Sequence, residues 1–129
     1  MIPLVSVVDD DDASRVAVAV LLNSLGFAVE TFESAADFLA WPCLRHTSCL
    51  IADVHMPGMT GVELHRRLVA LGHALPTILI TAYPDDAVRA RAIADGVIAY
   101  LAKPCSDAAL LDVVRAALNA RDAHPASSR

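Results

Sequence analysis

Five short apolar runs alternate along this chain with five stretches of helical pattern, and this alternation limits the fold more than any other feature. The runs are Leu4–Val8, Phe27–Phe32, Cys49–Asp53, Thr77–Ile80 and Val97–Ala102, each of a length and composition that suits a buried strand. The first helix begins near Ala13, capped by Asp11 or Asp12, and runs to Leu25, where Gly26 closes it in the left-handed conformation. Its stretch Val16–Leu22 alternates well enough to pass for a strand. Length and both end signals favour a helix, and the strand before it needs a crossover. Not all of its apolar residues can face one sheet, so Val18 or Leu22 is expected to be partly exposed.

Ser34 with Asp37 opens a short helix to about Trp41, which Pro42 ends, and residues 43–48 form a polar loop. Thr60 and Glu63 stand at capping-box spacing and start a third helix, from about Gly61 to Leu71, with Leu64, Leu68 and Leu71 on one face. A fourth follows Pro84-Asp85 and ends at Gly96. Ser106 caps the last, with Leu110, Leu111, Val114, Ala117 and Leu118 facing inward. Strict strand–helix alternation implies a parallel sheet with helices on both faces. The predicted fold is therefore α/β: a single (βα)5 doubly wound sheet in the flavodoxin-like strand order 2-1-3-4-5. Its switch point lies between the first and third strands.

The 129 residues suit one domain, taken as residues 1–121, with residues 122–129 (Asp-Ala-His-Pro-Ala-Ser-Ser-Arg) a frayed tail or the start of a linker. Hydrophobic residues make up 56%, above the usual share of about 45–50%, yet no apolar run nears the roughly 18 residues of a membrane span. The N-terminus meets four aspartates, Asp9 to Asp12, without a basic segment before its apolar run, so it does not read as a signal peptide. Cys43, Cys49 and Cys105 are odd in number and lack metal-ligand spacing, which suits buried or half-buried thiols in a reducing cytoplasm. A net charge of −5 argues against direct nucleic-acid binding by this domain.

The switch-point crevice would receive Asp9 and Asp10 from one strand end and Asp53 from another, while Thr81 and Lys103 end two further strands. Two carboxylates about 4 Å apart repel by on the order of 4 kcal/mol at an effective dielectric of about 20, so a cation is needed. An oxygen-only site open to water suits Mg²⁺. Metal, lysine, hydroxyl and one lone carboxylate are what phosphoryl transfer onto Asp53 requires. Singly, each residue has a plainer reading. Asp9 to Asp12 can serve as a helix cap and acidic turn, Thr81 as a strand end, Lys103-Pro104 as a turn. Their joint arrival at the carboxyl ends of strands is what singles them out.

Val7-Val8-Asp9-Asp10-Asp11, Asp53-Val-His-Met-Pro57-Gly-Met-Thr-Gly61, Thr81-Ala82 and Tyr100-Leu-Ala-Lys103-Pro104 together resemble the receiver domains of two-component response regulators, CheY-like in form. The resemblance covers residues 4 to about 120, and the stretch Val29–Leu39 looks most like FixJ-type regulators. It implies that Asp53 is the phosphoacceptor, that Asp10 binds Mg²⁺ directly beside Asp53, and that Asp9 acts mainly through water. The backbone carbonyl of His55 would complete the protein ligands. Lys103 would pair with the phosphoryl group, Thr81 would bond one of its oxygens, and Ala82 would leave room for it and offer its N–H. Lys103-Pro104 would be a cis peptide, and Tyr100 an aromatic switch that turns inward as Thr81 moves. For His55 and Tyr83 two readings stand: they tune the lifetime of the phosphoryl group, or they are ordinary loop residues. Cys105 and Val97 depart from the family's usual residues, outside the chemistry.

The resemblance implies as partners a sensor histidine kinase or a histidine phosphotransfer protein, docking on the first helix and the loop after Lys103. Phosphorylation would rearrange helix 4, strand 5 and helix 5 for dimerisation or for an output, transcription among them. Two rivals remain. A small aspartyl-phosphate hydrolase would want an acid/base aspartate where His55 stands, and a cap domain. A phosphate-independent interaction module would not need Asp9, Asp10, Asp53, Thr81 and Lys103 intact.

Overall fold

The computed structural model describes residues 2–122. Five parallel strands, β1 (Leu4–Val8), β2 (Ala28–Phe32), β3 (Cys49–Asp53), β4 (Thr77–Thr81) and β5 (Ala99–Ala102), form one sheet in the order β2-β1-β3-β4-β5. The helices α1 (Asp12–Ser24), α2 (Ala35–Ala40), α3 (Gly61–Ala70), α4 (Asp86–Ala94) and α5 (Asp107–Asp122) cover both faces, as strict alternation predicts. Residues 123–129, read from sequence as the rest of the tail, lie outside the described residues.

Period-two alternation along the strands divides the core in two. Val8, Leu50, Ala52 and Leu79 pack with Phe38, Leu64, Leu68 and Ala92, under α2, α3 and α4. Val5, Val7, Ile51, Ile78 and Ile80 pack with Leu22, Leu110, Val114 and Ala117, under α1 and α5. β3 and β4 are buried at every residue, so they read in sequence as unbroken apolar runs rather than alternating ones. Cys49 belongs to the second cluster, and burial pushes its thiol up to about 12, which leaves it inert.

Register then sets the height of each strand end. Val8 pairs with Ala52, so Asp9 and Asp53 follow at the same level on neighbouring strands. Asp53 pairs with Ile80 and Thr81 with Ala102, and Lys103 donates its N–H to the Thr81 carbonyl at 2.7 Å. The carboxyl edge of the sheet thus gathers residues that stand far apart in the chain.

The structure corrects several sequence expectations. On α1, Val18 is partly exposed, as one of the expected pair, and Leu22 is fully buried; the larger surplus, not expected, is Val16 and Val20, 56% and 61% exposed. Residues 16 and 20 share one helical stripe and residues 18 and 22 another, about 200° round the axis, and only one of them can face the sheet. Leu71 is exposed past the end of α3, where its N–H closes the helix on Arg67. The segment 43–48 is not simply a polar loop. It holds a 3₁₀ turn, Leu44–His46, with Leu44 and Thr47 buried and the Thr47 hydroxyl bonded to Ser6 at 2.7 Å. Among the thiols, Cys43 is exposed rather than covered. β5 starts two residues later than expected because Val97 donates its N–H to Ala92 and closes α4. Among the described residues, no helix is long and apolar enough to cross a membrane.

The capping box predicted for α3 is complete: Thr60 Oγ1 accepts from Glu63 N–H at 3.1 Å, and Glu63 Oε1 accepts from Thr60 N–H at 2.9 Å. Gly61 follows, and a Cβ there would stand 2.5 Å from the Asp53 carbonyl oxygen and 3.0 Å from Leu79. Absence of a side chain lets the helix start press against the end of β3. Gly61→Ala should therefore lower stability by about 1–3 kcal/mol, the usual cost of forcing a methyl into a packed site. Urea denaturation checks this, and an unchanged midpoint would mean that the loop yields at no cost.

Candidate functional site

Four side chains from three strand ends meet at the carboxyl edge: Asp9 and Asp10 after β1, Asp53 at the end of β3 and Lys103 after β5. Lys103 Nζ lies 3.0 Å from Asp9 Oδ2 and 2.9 Å from Asp53 Oδ2, so one ammonium serves two carboxylates. Asp53 Oδ1 accepts from the His55 N–H at 3.1 Å. Asp9 and Asp53 are buried while Asp10 is exposed, and one carboxylate oxygen from each of the three lies within 4.8 Å of the others.

Asp9 is held at every polar atom. Its N–H donates to the Phe32 carbonyl at 3.1 Å, Oδ1 accepts from Asp11 N–H at 3.0 Å, and Oδ2 accepts from Lys103. Its carbonyl accepts from Arg15 Nη1 at 2.8 Å. Asp11 Oδ2 in turn caps α1 by accepting from Ser14 N–H at 2.9 Å, which gives the acidic run a structural role alongside a chemical one.

The charges do not balance. Burial pulls the Lys103 ammonium toward its neutral form, but hydrogen bonds to Asp53 and Asp9 and their negative charge outweigh this and raise its pKa. Asp53 is also shifted upward: burial penalises its charge, the nearby Asp9 adds to this, and the Lys103 and His55 contacts recover only part. One shared cation leaves net negative charge among three carboxylates. The donor set fits a hard divalent ion such as Mg²⁺, because every side-chain ligand is oxygen and Asp10 keeps one side open to water.

The remaining expected residues lie at or beside the ends of β3, β4 and β5. Thr81 is fully buried at the end of β4, and its Oγ1 accepts from Tyr83 N–H at 3.0 Å; Ala82 beside it is exposed. The Lys103-Pro104 peptide is cis, as the resemblance implies. Tyr100 is half-buried, and its hydroxyl accepts from the N–H of Asp85, the N-cap of α4, at 3.2 Å, which ties it to α4 rather than to the carboxylates. The rings of His55 and Tyr83 meet edge to face with centroids 5.5 Å apart, so the two loops after β3 and β4 touch across the carboxyl edge. Arg15 does not stand out in the sequence. Its only signal is the spacing of three from Asp12, which marks an ordinary surface ion pair.

The upward shift of Asp53 has a definite sign in stability. An acid whose folded pKa exceeds its unfolded value, here 3.8, costs stability as pH rises through that window. Asp53→Asn, measured without divalent metal, should raise stability at pH 7 by about 1 kcal/mol, the size of one charge contact near 4 Å in water-like surroundings. The gain should vanish below the usual range of aspartate ionisation. Thermal melts at pH 3 and pH 7 in EDTA check both statements, and a less stable variant at pH 7 would contradict them.

The chain is similar to known proteins over most of its length. A family model for the response regulator receiver domain matches residues 5–115. FixJ of Azorhizobium caulinodans, a transcriptional regulatory protein, is 41% identical over 114 residues, which cover 88% of this chain and 54% of FixJ. The response regulator TodT of Pseudomonas putida is 37% identical over 115 residues, covering 89% of this chain and 51% of TodT. A response regulator receiver protein from Burkholderia phymatum superposes with a TM-score of 0.78 at 45% identity, covering 91% of this chain and 95% of that one. The chain thus spans about half the length of the curated relatives it matches. With the sheet order, the acidic edge and this match over most of its length, the chain belongs to the family of response regulator receiver domains of two-component systems.

Proposed function

We propose that this domain accepts a phosphoryl group on Asp53 from a phosphohistidine of a sensor histidine kinase or histidine phosphotransfer protein. The observation that carries this reading is the convergence of one ammonium, Lys103, and two further carboxylates, Asp9 and Asp10, on a buried Asp53. An oxygen of Asp53 attacks phosphorus, the P–N bond to the imidazole breaks as the P–O bond forms, and the departing nitrogen keeps its electron pair and takes a proton. Asp10, Asp53 and the His55 carbonyl would hold Mg²⁺, with Asp9 acting through water; the ion would supply positive charge to the phosphoryl oxygens.

The chain's own groups do the rest. His55 N–H holds Oδ1 and fixes the plane of the attacking carboxylate. Once the carboxylate charge is used in the new bond, the Lys103 ammonium follows the charge onto the phosphoryl oxygens. Thr81 uses its oxygen to accept from Tyr83, so its hydroxyl hydrogen remains for a phosphoryl oxygen, and Ala82 adds a backbone N–H and little bulk.

Two bonds restrain the segment between β4 and α4: Tyr83 N–H to Thr81, and Asp85 N–H to the Tyr100 hydroxyl. Drawing Thr81 toward the phosphate loosens the first, and Tyr100 can then leave Asp85 and turn inward. The result is a population shift of α4, β5 and α5 that favours dimerisation or an output partner. Such an output is transcriptional in FixJ by its name, and we extend that to the protein to which this domain belongs. Exposed Val16 and Val20 on α1 and the loop after Lys103 would receive the phosphodonor, in the reducing cytoplasm that the free thiols suit. The domain acts as a phosphoacceptor rather than an enzyme. His55 stands where a phosphatase of similar sheet would need its acid/base aspartate.

Incubation with acetyl phosphate and Mg²⁺, followed by intact-mass measurement, should give one phosphoryl adduct. The adduct should be absent in Asp53→Asn and in EDTA. Lys103→Ala should slow its formation by about 10²-fold or more, the usual effect of removing one pre-positioned charge from a transition state. No adduct from either acetyl phosphate or a phosphohistidine donor would sink the reading in favour of a phosphate-independent module.

A further inference from the structure

We infer that Arg15 is a positioning residue for the metal site: it orients the peptide from which Asp10 projects, although it touches neither Asp10 nor Asp53. The inference rests on the Mg²⁺ reading given above. Arg15 is on the first turn of α1, and its side chain is only 11% exposed, unusual for an arginine on a surface helix. Nη1 donates to the Asp9 carbonyl at 2.8 Å; Nη2 donates to Asp12 Oδ1 at 2.5 Å and lies 3.6 Å from Glu33 Oε1. One guanidinium therefore joins the end of β1, the start of α1 and the residue after β2.

The Asp9 carbonyl belongs to the peptide bond that links Asp9 to Asp10. A planar peptide has no internal freedom, so a donor fixed to its oxygen fixes the direction in which the Asp10 Cα leaves. Asp9 itself is already held through its N–H and both carboxylate oxygens. Asp10 is different: it is exposed, and among the described residues no hydrogen bond or ion pair restrains its carboxylate. The backbone is then what determines where that carboxylate lies. Arg15 restrains that backbone on one side of Asp10, through the Asp9 carbonyl, as Asp9 Oδ1 does on the other side through the Asp11 N–H. A fork of donors suits this task, since separate nitrogens face the carbonyl and the acids, whereas a lysine would have to serve them from a single point.

Charge and position make opposite predictions here. Arg15 is a cation close to an acidic site, so by electrostatics alone its removal should tighten Mg²⁺ binding. If it positions Asp10, its removal should weaken binding, as loss of the supports behind metal ligands commonly does by about 10–100-fold.

The test is isothermal titration of Mg²⁺ into the full chain, for wild type, Arg15→Gln and Arg15→Lys, with a thermal melt of each in EDTA. Arg15→Gln should raise the Kd by roughly tenfold despite the lost positive charge. Arg15→Lys, which keeps the charge and folds if the glutamine variant does not, should fall between that value and wild type. An Arg15→Gln Kd equal to or below wild type overturns the inference. So does a lowered melting temperature in EDTA with an unchanged Kd, which would make Arg15 merely structural. Absence of Mg²⁺ binding by wild type would instead overturn the metal reading, and this inference with it.

Discussion

The ammonium of Lys103, held between Asp9 and Asp53, is the contact on which the carboxyl edge depends. Without it, two buried carboxylates would face each other across neighbouring strands with no counter-charge from the chain. With it, they are close enough to share a cation and still carry surplus negative charge, which adds to burial in holding the Asp53 pKa up. The site is therefore held together by the chain and still negative enough to draw positive charge. A fully neutralised pocket would have less reason to bind a cation.

The scaffold makes this possible by being rigid where the chemistry lies. β3 and β4 are covered on both faces, and the level of Asp9 with Asp53 follows from β-ladder register, not from side-chain flexibility. Gly61 brings the start of α3 against the Asp53 carbonyl, and the Thr60–Glu63 capping box fixes where that helix begins. The opposite side of the site is softer. The segment from Ala82 to Asp85 is exposed, with single backbone hydrogen bonds to the Thr81 and Tyr100 hydroxyls, so it is more weakly restrained than the end of β3. Rigidity around Asp53 and weak restraint beside Thr81 are what the proposed separation of chemistry from switching would use.

Much of the fold was legible because the sequence repeats its instructions at several levels. Strand length, helix caps such as Asp11, Ser34, Thr60 and Asp85, and the glycines that close helices all agree on five βα units. Errors arose where a local pattern had two solutions. Val16, Val18, Val20 and Leu22 are all apolar, and only packing against the sheet decides that Leu22 goes in while Val16 and Val20 stay out. Residues 43–48 look polar, yet Leu44 is buried in the apolar cluster with Phe38, and Thr47 is buried with its hydroxyl bonded to Ser6 of β1.

By itself the sequence determined the order of elements, the parallel sheet and the candidates Asp9, Asp10, Asp53, Thr81 and Lys103, since period, caps and residue type are local properties. Tertiary structure alone decided how those candidates meet: that Lys103 takes both Asp9 and Asp53, that Tyr100 is tied to Asp85, and that His55 and Tyr83 pair. It also singled out Arg15, whose neighbours Asp9, Asp12 and Glu33 come from three different elements or their ends. The physical reason is distance along the chain. A contact between residues 9, 53 and 103 depends on sheet register, and register is set by the packing of the whole sheet rather than by any stretch of sequence.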